Sequence, residues 1–289
     1  MILLRSLLFI PGNRPNMLDK AFSCTADAIV PDMEDSVPEA EKSAARDLIA
    51  EYLPRLRATG KFICPRVNSL ETGRTHDELA AVVGPDIDAV SIGKIRTPTD
   101  ISEVSQLIGA LEQERGMELG TVGLVPWIET ARAVIDCHEI CRASRRIVAV
   151  AFGAEDFTND LGIEHVEDES NLAFARASIC TAARAAGVTA LDTPWFRFRD
   201  LDGLAAHSRR SRSLGFKGRF AIHPGQTDTI NDCFAPSAEE IEQARRIVAA
   251  YEAAELNGRA STSLDGLVID VPVVRRARAL LELAESLGR

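Results

Sequence analysis

The 289-residue sequence predicts a (β/α)8 barrel of the TIM type followed by a C-terminal hairpin-plus-helix extension. Three observations predict it. Short β-rich runs alternate with longer amphipathic stretches through residues 1–235, eight runs in all. The junction after the first run, "PGNRPNM", lacks the GxGxxG phosphate loop that an open, doubly wound sheet would want there. Each run also ends in charged or polar residues, on the rim where this fold builds its active sites.

The first run is "RSLLFI" (5–10). The opening "MILLRSLLFIPG" looks faintly like a secretory leader. Arg5 interrupts its short apolar stretch, and no small-residue cleavage site follows, so it reads as a strand. It leads to Asn13 and Arg14. The second run, "DAIVPDM" (27–33), delivers Asp32, Glu34 and Asp35. "FICPRV" (62–67) brings Arg66 and Asn68, and "AVSIGKI" (89–95) brings Lys94. "VGLVPWI" (122–128) ends in Glu129, and "RIVAVAF" (146–152) in Glu155 and Asp156. "VTALDTP" (188–194) carries Asp192, and "GRFAIHP" (218–224) carries His223. Helical stretches such as "EKSAARDLIAEYLPRLRA" and "SNLAFARASICTAARAAG" lie between, the latter stopped by Gly187 as its cap. The opposite ends of the runs show no comparable collection of charge.

Composition narrows the function. The chain is 46% hydrophobic and 26% charged, as in a globular protein, and its net charge of −10 argues against a general nucleic-acid binder. A small anion held by local cations stays open. No stretch reaches the roughly 20 apolar residues of a membrane span, so a cytoplasmic location is expected. The six cysteines form no CxxC pair. Cys137 and Cys141, with His138, have no second ligand pair at zinc spacing and read as reduced thiols. His76, His138, His165 and His207 carry no interpretable signal.

About six rim acids therefore face two or three bases. They could close into structural ion pairs, but the imbalance argues for more. Crowded carboxylates raise one another's pKa unless a cation neutralises them. A hard divalent ion held by two carboxylates and several waters meets that need, which describes Mg²⁺. Glu129 and the acid after the sixth run are its expected ligands.

Residues 236–289 form the second predicted region. "SAEEIEQARRIVAAYEAAEL" opens with a capping box, Ser237 and Glu240. "STSLDGLVIDVPVVRRARALLELAESLG" reads as a hairpin turning at Asp265-Gly266 and a helix with Pro272 in its first turn. On pattern alone Asp270 is an N-cap. The extension would cover one mouth of its own barrel or pack on a neighbour.

Taken in order, "RSLLFIPGNRP", "DMEDSV...EKSAAR", "PRVNSLETG", "WIETARAV", "AFGAEDFTNDLG", "FAIHPGQ...IN..FAPS" and "SLDGLVIDVPVV" resemble a known family. These are the citrate lyase β-subunit-like members of the HpcH/HpaI aldolase superfamily, which include malyl-CoA and citramalyl-CoA lyases. The resemblance runs through nearly the whole chain and implies a homotrimer or homohexamer. It implies Mg²⁺ on Glu129 and Asp156, with Glu34 and Asp35 near the ion's waters and Arg66 on a substrate oxygen. It makes Asp270 an acid/base that reaches a neighbouring subunit's site. Arg14 and Lys20 match positions that contact CoA phosphates, and Arg66 and Lys94 complete the substrate-binding set. Two departures stand out: Arg96 replaces a frequent acid, and Trp127 a smaller aliphatic.

The implied activity is Mg²⁺-dependent, reversible cleavage of a 3-hydroxyacyl-CoA to an acyl-CoA and a 2-oxo acid. Three alternatives stand beside it: a citrate lyase β subunit acting on an acyl-carrier thioester, a free-acid aldolase, and a non-catalytic barrel that binds CoA esters.

Overall fold

A computed structural model describes residues 3–164, 166 and 168–289; His165 lies outside them. The chain divides into two compact units, Leu3–Asn231 and Asp232–Arg289.

The first unit is the barrel. Its strands are β1 (Ser6–Pro11), β2 (Ala28–Asp32), β3 (Phe62–Ile63), β4 (Arg66–Val67) and β5 (Ala89–Ile95), then β6 (Gly123–Ile128), β7 (Ala149–Phe152), β8 (Thr189–Asp192) and β9 (Gly218–Ala221). All pair in parallel around the ring, and β1 against β2 closes it. Eight strand positions result, because β3 and β4 share the third. The expected single strand 62–67 is broken there by Pro65, which has no N–H for the ladder. The sixth run also starts later than expected: Ile147 makes only an isolated bridge to Leu124, and the strand begins at Ala149.

Side chains alternate in and out along each strand. The inward set fills the barrel: Leu7 and Phe9, Ala28 and Val30, Cys64, Ala89, Val125 and Trp127, Ala149 and Ala151, Leu191, and Phe220. Continuing that parity by two residues yields the layer at the mouth: Asp32, Arg66, Glu129, Gly153, Thr193 and Ile222, all of which line one cleft.

Asp192 falls on the other parity. It was expected at the rim but points outward, fully buried, into a cluster beneath the helices. It accepts from Arg219 and Ser211, and Arg176 Nε lies 3.3 Å from it. Burial alone would raise its pKa, yet the two guanidiniums hold it at about 2, below the ordinary 3.8. A depressed carboxylate stabilises the fold above its unfolded pKa, and that contribution fades as pH falls from about 4 towards 2. Asp192→Asn should cost about 3–5 kcal/mol in denaturant unfolding, because it takes the paired charge from buried Arg219 and leaves Arg176 with Glu169 as its acid.

The opposite rim does carry charge, contrary to expectation. Arg5 pairs with Asp27 and Arg57 with Asp88, both at 2.7 Å, and Arg146 pairs with Glu112 at 2.6 Å. There each cation meets its own acid.

The second unit holds the helix Ala238–Leu256, opened by the Ser237/Glu240 capping box. Strands β10 (Thr262–Leu264) and β11 (Leu267–Ile269) pair antiparallel. Their two-residue turn puts Asp265 at φ 52° and Gly266 at φ 80°, the left-handed pair that a tight hairpin requires. The helix Val271–Ser286 follows, and Tyr251, Ile269 and Val274 form a small core. Among the described residues no helix is long and apolar enough to cross a membrane.

Candidate active site

The mouth holds a cleft of about 270 Å³ with Asp32, Asp35, Arg66, Glu129, Glu155 and Asp156 in its walls. Phe9, Trp127, Pro194, Phe196 and Ile222 supply the apolar surface.

Arg66 sits at the centre. It lies directly across from Asp32 in the pairing of β4 with β2. Its Nε and Nη2 each donate to Asp32 at 2.7 Å, a two-pronged clamp that fixes the guanidinium plane. Nη1 is shared by Glu34 at 3.0 Å and Asp35 at 3.3 Å. The guanidinium also lies 4.5 Å over the Phe9 ring. Beneath it Trp127 donates to Ser91 Oγ at 2.8 Å and packs on Phe220, ring centroids 4.4 Å apart. Burial alone would raise the pKa of Asp32, but Arg66, Ser36 and the Glu34 amide hold it below the ordinary value. Asp32 is thus a committed anion whose role is to orient Arg66.

Glu129 occupies a space left by two missing side chains. A Cβ on Gly153 would lie 2.5 Å from Glu129 Cγ and 2.6 Å from its Oε1. A Cβ on Gly93 would lie 2.9 Å from Glu34 Oε1 and 3.3 Å from Glu129 Oε2, so both carboxylates converge there. Lys94 adds to this arrangement through its main chain. Its φ of 58° is costly for a residue with a side chain, and in that conformation its N–H donates to Glu129 Oε2 at 2.6 Å. Its Nζ reaches Glu34 and Asp35, both at 3.3 Å. Asp156 stands in the first turn of the helix Ala154–Leu161, directly after β7, and Ala154 N donates to Thr193 Oγ1 at 3.3 Å.

The electrostatics ask for more positive charge than Arg66 and Lys94 supply. Burial, then Glu34 and Asp156, push the Glu129 carboxyl up to about 8. Burial raises Glu34 to about 7 despite Arg66, with Asp35 adding to the rise. Asp156 is raised too, by burial and by Asp35. Three carboxyls that resist ionisation around one cleft fit a divalent cation, which would reverse the sign of each shift. Among the described residues no three His, Cys, Asp or Glu side chains form a ready-made cage. The Glu129 and Asp156 carboxylates both line the cleft, and such a pair could hold an ion that keeps water or substrate oxygens in its other positions.

Of the residues singled out from sequence, Glu34, Asp35, Arg66, Lys94, Glu129 and Asp156 are brought together. Arg14 and Lys20 are exposed, at either end of the helix Pro15–Ala21. Asp270 belongs to the C-terminal unit, where its side chain accepts from Val273 N at 3.2 Å as the cap of the last helix. Arg96 pairs with Glu71 on the surface at 2.5 Å, and His223 is exposed and stacks on Phe198. The clamping role of Asp32, the two glycines and Thr193 were not read from sequence, though strand parity would have singled out all four positions.

Residues 5–224 match the family described as HpcH/HpaI aldolase/citrate lyase. The chain is 36% identical over 282 residues to the citrate lyase subunit beta of Leuconostoc mesenteroides subsp. cremoris, covering 98% of this chain and 93% of that protein. It is 32% identical over 306 residues to the L-malyl-CoA/beta-methylmalyl-CoA lyase of Cereibacter sphaeroides, covering 98% and 95%. Among solved structures it is similar to protein CitE of Mycobacterium tuberculosis in complex with magnesium, acetoacetate and coenzyme A. That likeness has a TM-score of 0.81 and 27% identity, with 97% of each chain covered.

Proposed function

The chain belongs to the HpcH/HpaI aldolase/citrate lyase family and is a carbon–carbon lyase of the CoA-ester type, and from that premise we propose a substrate and a mechanism. It is a cytoplasmic enzyme that reversibly cleaves a 3-hydroxyacyl-CoA of the malyl-CoA or citramalyl-CoA kind to an acyl-CoA and a 2-oxo acid. The observation that supports this reading is the convergence of Glu129, Asp156 and Arg66 in one cleft. It occurs in a chain aligned nearly end to end with a malyl-CoA lyase.

Glu129 and Asp156 would hold Mg²⁺, the metal bound in the similar CitE structure. When bound it would supply Lewis acidity to a substrate oxygen. Arg66 Nη1 donates to the thioester oxygen, where negative charge develops as the carbon–carbon bond breaks. The Asp32 clamp keeps that nitrogen aimed into the cleft, and Glu34 and Asp35 release it to the substrate while ordering water at the mouth. Asp270 delivers a proton to the enolate carbon and removes it in the reverse direction. In a trimer or hexamer the C-terminal unit brings Asp270 to a neighbouring chain's cleft. Arg14, Lys20 and Lys94 meet the anionic groups of the CoA ester.

A screen of acetyl- and propionyl-CoA against glyoxylate, pyruvate and oxaloacetate tests the reading. One pair should condense with Mg²⁺ present and stop when EDTA is added. No product from any pair would reject it. Turnover only on a thioester carried by an acyl-carrier protein would replace it with a citrate lyase β subunit.

A further inference from the structure

Lys42 is a buried cation to which the chemistry above gives no role. It opens the helix Lys42–Arg57 and is 8% exposed. Its ammonium has three donors, and three acceptors meet it: Met33 O at 3.1 Å, Glu34 O at 2.8 Å and Asn68 Oδ1 at 2.7 Å. Asn68 is itself fixed. Its Nδ2 donates to Met33 O at 2.8 Å and to Glu78 Oε1 at 2.6 Å, and its amide donates to Glu78 Oε2 at 2.7 Å. Asn68 and Glu78 are both buried, so the set forms a closed network beside the end of β2.

The two main-chain acceptors matter most. A peptide unit is planar, so fixing a carbonyl oxygen fixes the whole unit. The carbonyls of Met33 and Glu34 belong to the two units that flank the Glu34 Cα. Holding both leaves the Glu34 Cα–Cβ bond one direction, and it leads to Arg66 Nη1 at 3.0 Å and Lys94 Nζ at 3.3 Å, beside Glu129. β2 ends at Asp32; beyond it Met33 N donates to Arg66 O at 3.0 Å and Glu34 N to Asp32 Oδ1 at 2.9 Å, and the Lys42 ammonium adds the hold on the carbonyl side.

We propose that Lys42 is a positioning residue: its ammonium pins the peptide units on either side of Glu34 and so holds that carboxylate at the mouth of the cleft. The proposal rests on the reading of this cleft as a cation-binding active site. Without the ammonium, Met33 O keeps only Asn68 Nδ2 and Glu34 O keeps only Val37 N, so each carbonyl loses one of its two donors and the segment is held less firmly.

Lys42→Met keeps the stem and removes the three donors. In the full-length protein it should lower kcat by about 10- to 100-fold while KM for the CoA ester stays within about twofold. Calorimetry with Mn²⁺ alone, without substrate, should show binding weakened by about 10-fold. Adding Lys42→Met to Glu34→Gln should cost nothing further, since the residue that Lys42 positions is already neutral. Additive losses, or Mn²⁺ affinity and kcat equal to those of the unmodified protein, overturn the assignment of Lys42. No Mn²⁺ binding by the unmodified protein overturns the reading of the site and the proposal with it. Should Lys42→Met fail to fold by circular dichroism, Glu78→Gln loosens the same network through Asn68. It should reproduce the kcat loss in milder form, and an unchanged kcat counts against the proposal.

Discussion

Replacing Glu129 with glutamine will lower turnover by about 10²-fold or more and move the Mg²⁺ requirement to far higher concentration. Glutamine has the same shape, so it fills the space between Gly93 and Gly153 and can still accept from Lys94 N. What it removes is the charge. The effect should carry a pH signature whose sign follows from the raised carboxyl. With a pKa of about 8, Glu129 is mostly protonated at neutral pH in the absence of a cation. An ion that binds there must displace that proton, so apparent Mg²⁺ affinity in the unmodified protein should rise from pH 6 to pH 8. The glutamine variant has no proton to lose at this position, and the rise should flatten. Titrating initial rates with Mg²⁺ at several pH values measures both effects. Turnover unchanged at low Mg²⁺ would remove Glu129 from the metal site.

Asp270→Asn should abolish exchange of the acetyl-CoA methyl protons with solvent, a loss of about 10²- to 10⁴-fold, and leave CoA-ester binding intact. The substitution separates two roles that one side chain can hold. As an N-cap, Asp270 accepts a hydrogen bond from Val273 N, and asparagine caps as well as aspartate. Thermal stability should therefore hold. Asparagine cannot carry a proton to and from carbon, so only the chemical role is lost. Deuterium incorporation followed by NMR gives the answer. Exchange that persists in the variant leaves Asp270 as a helix cap and nothing more.

The barrel was legible because apolar alternation and turn residues repeat at nearly regular intervals, and the mouth because polar residues recur at the same end of each run. The errors have physical causes. Asp192 was counted at the rim from its place at a strand end, yet Leu191 beside it takes the inward position and turns Asp192 outward. The opposite rim read as having no comparable collection of charge because pairs such as Arg57–Asp88 and Arg146–Glu112 join a strand approach to a helix 31 or 34 residues away. Asp32 was counted among the surplus acids although it is fully engaged with Arg66, a match that only the strand register reveals. Lys42 was invisible for another reason: two of its three acceptors are carbonyls, which every residue has. The hairpin and both C-terminal helices, set by local turn and cap chemistry, were read correctly.

The stack of Phe9, Trp127 and Phe220 has a consequence for what the protein can discriminate. These rings pack together in the barrel core, with Phe9 and Trp127 lining the cleft beside Arg66, so the interior beyond them is filled by side chains. At about 270 Å³ the hollow lies at the small end of the roughly 300–1,000 Å³ range of ligand pockets. A CoA thioester bound as proposed would keep its nucleotide end outside while its reactive tip enters the cleft. Reading the tip and gripping the handle are therefore separable tasks, and one bond-breaking apparatus can serve a diffusing handle or one tethered to another protein with only the outer surface redesigned.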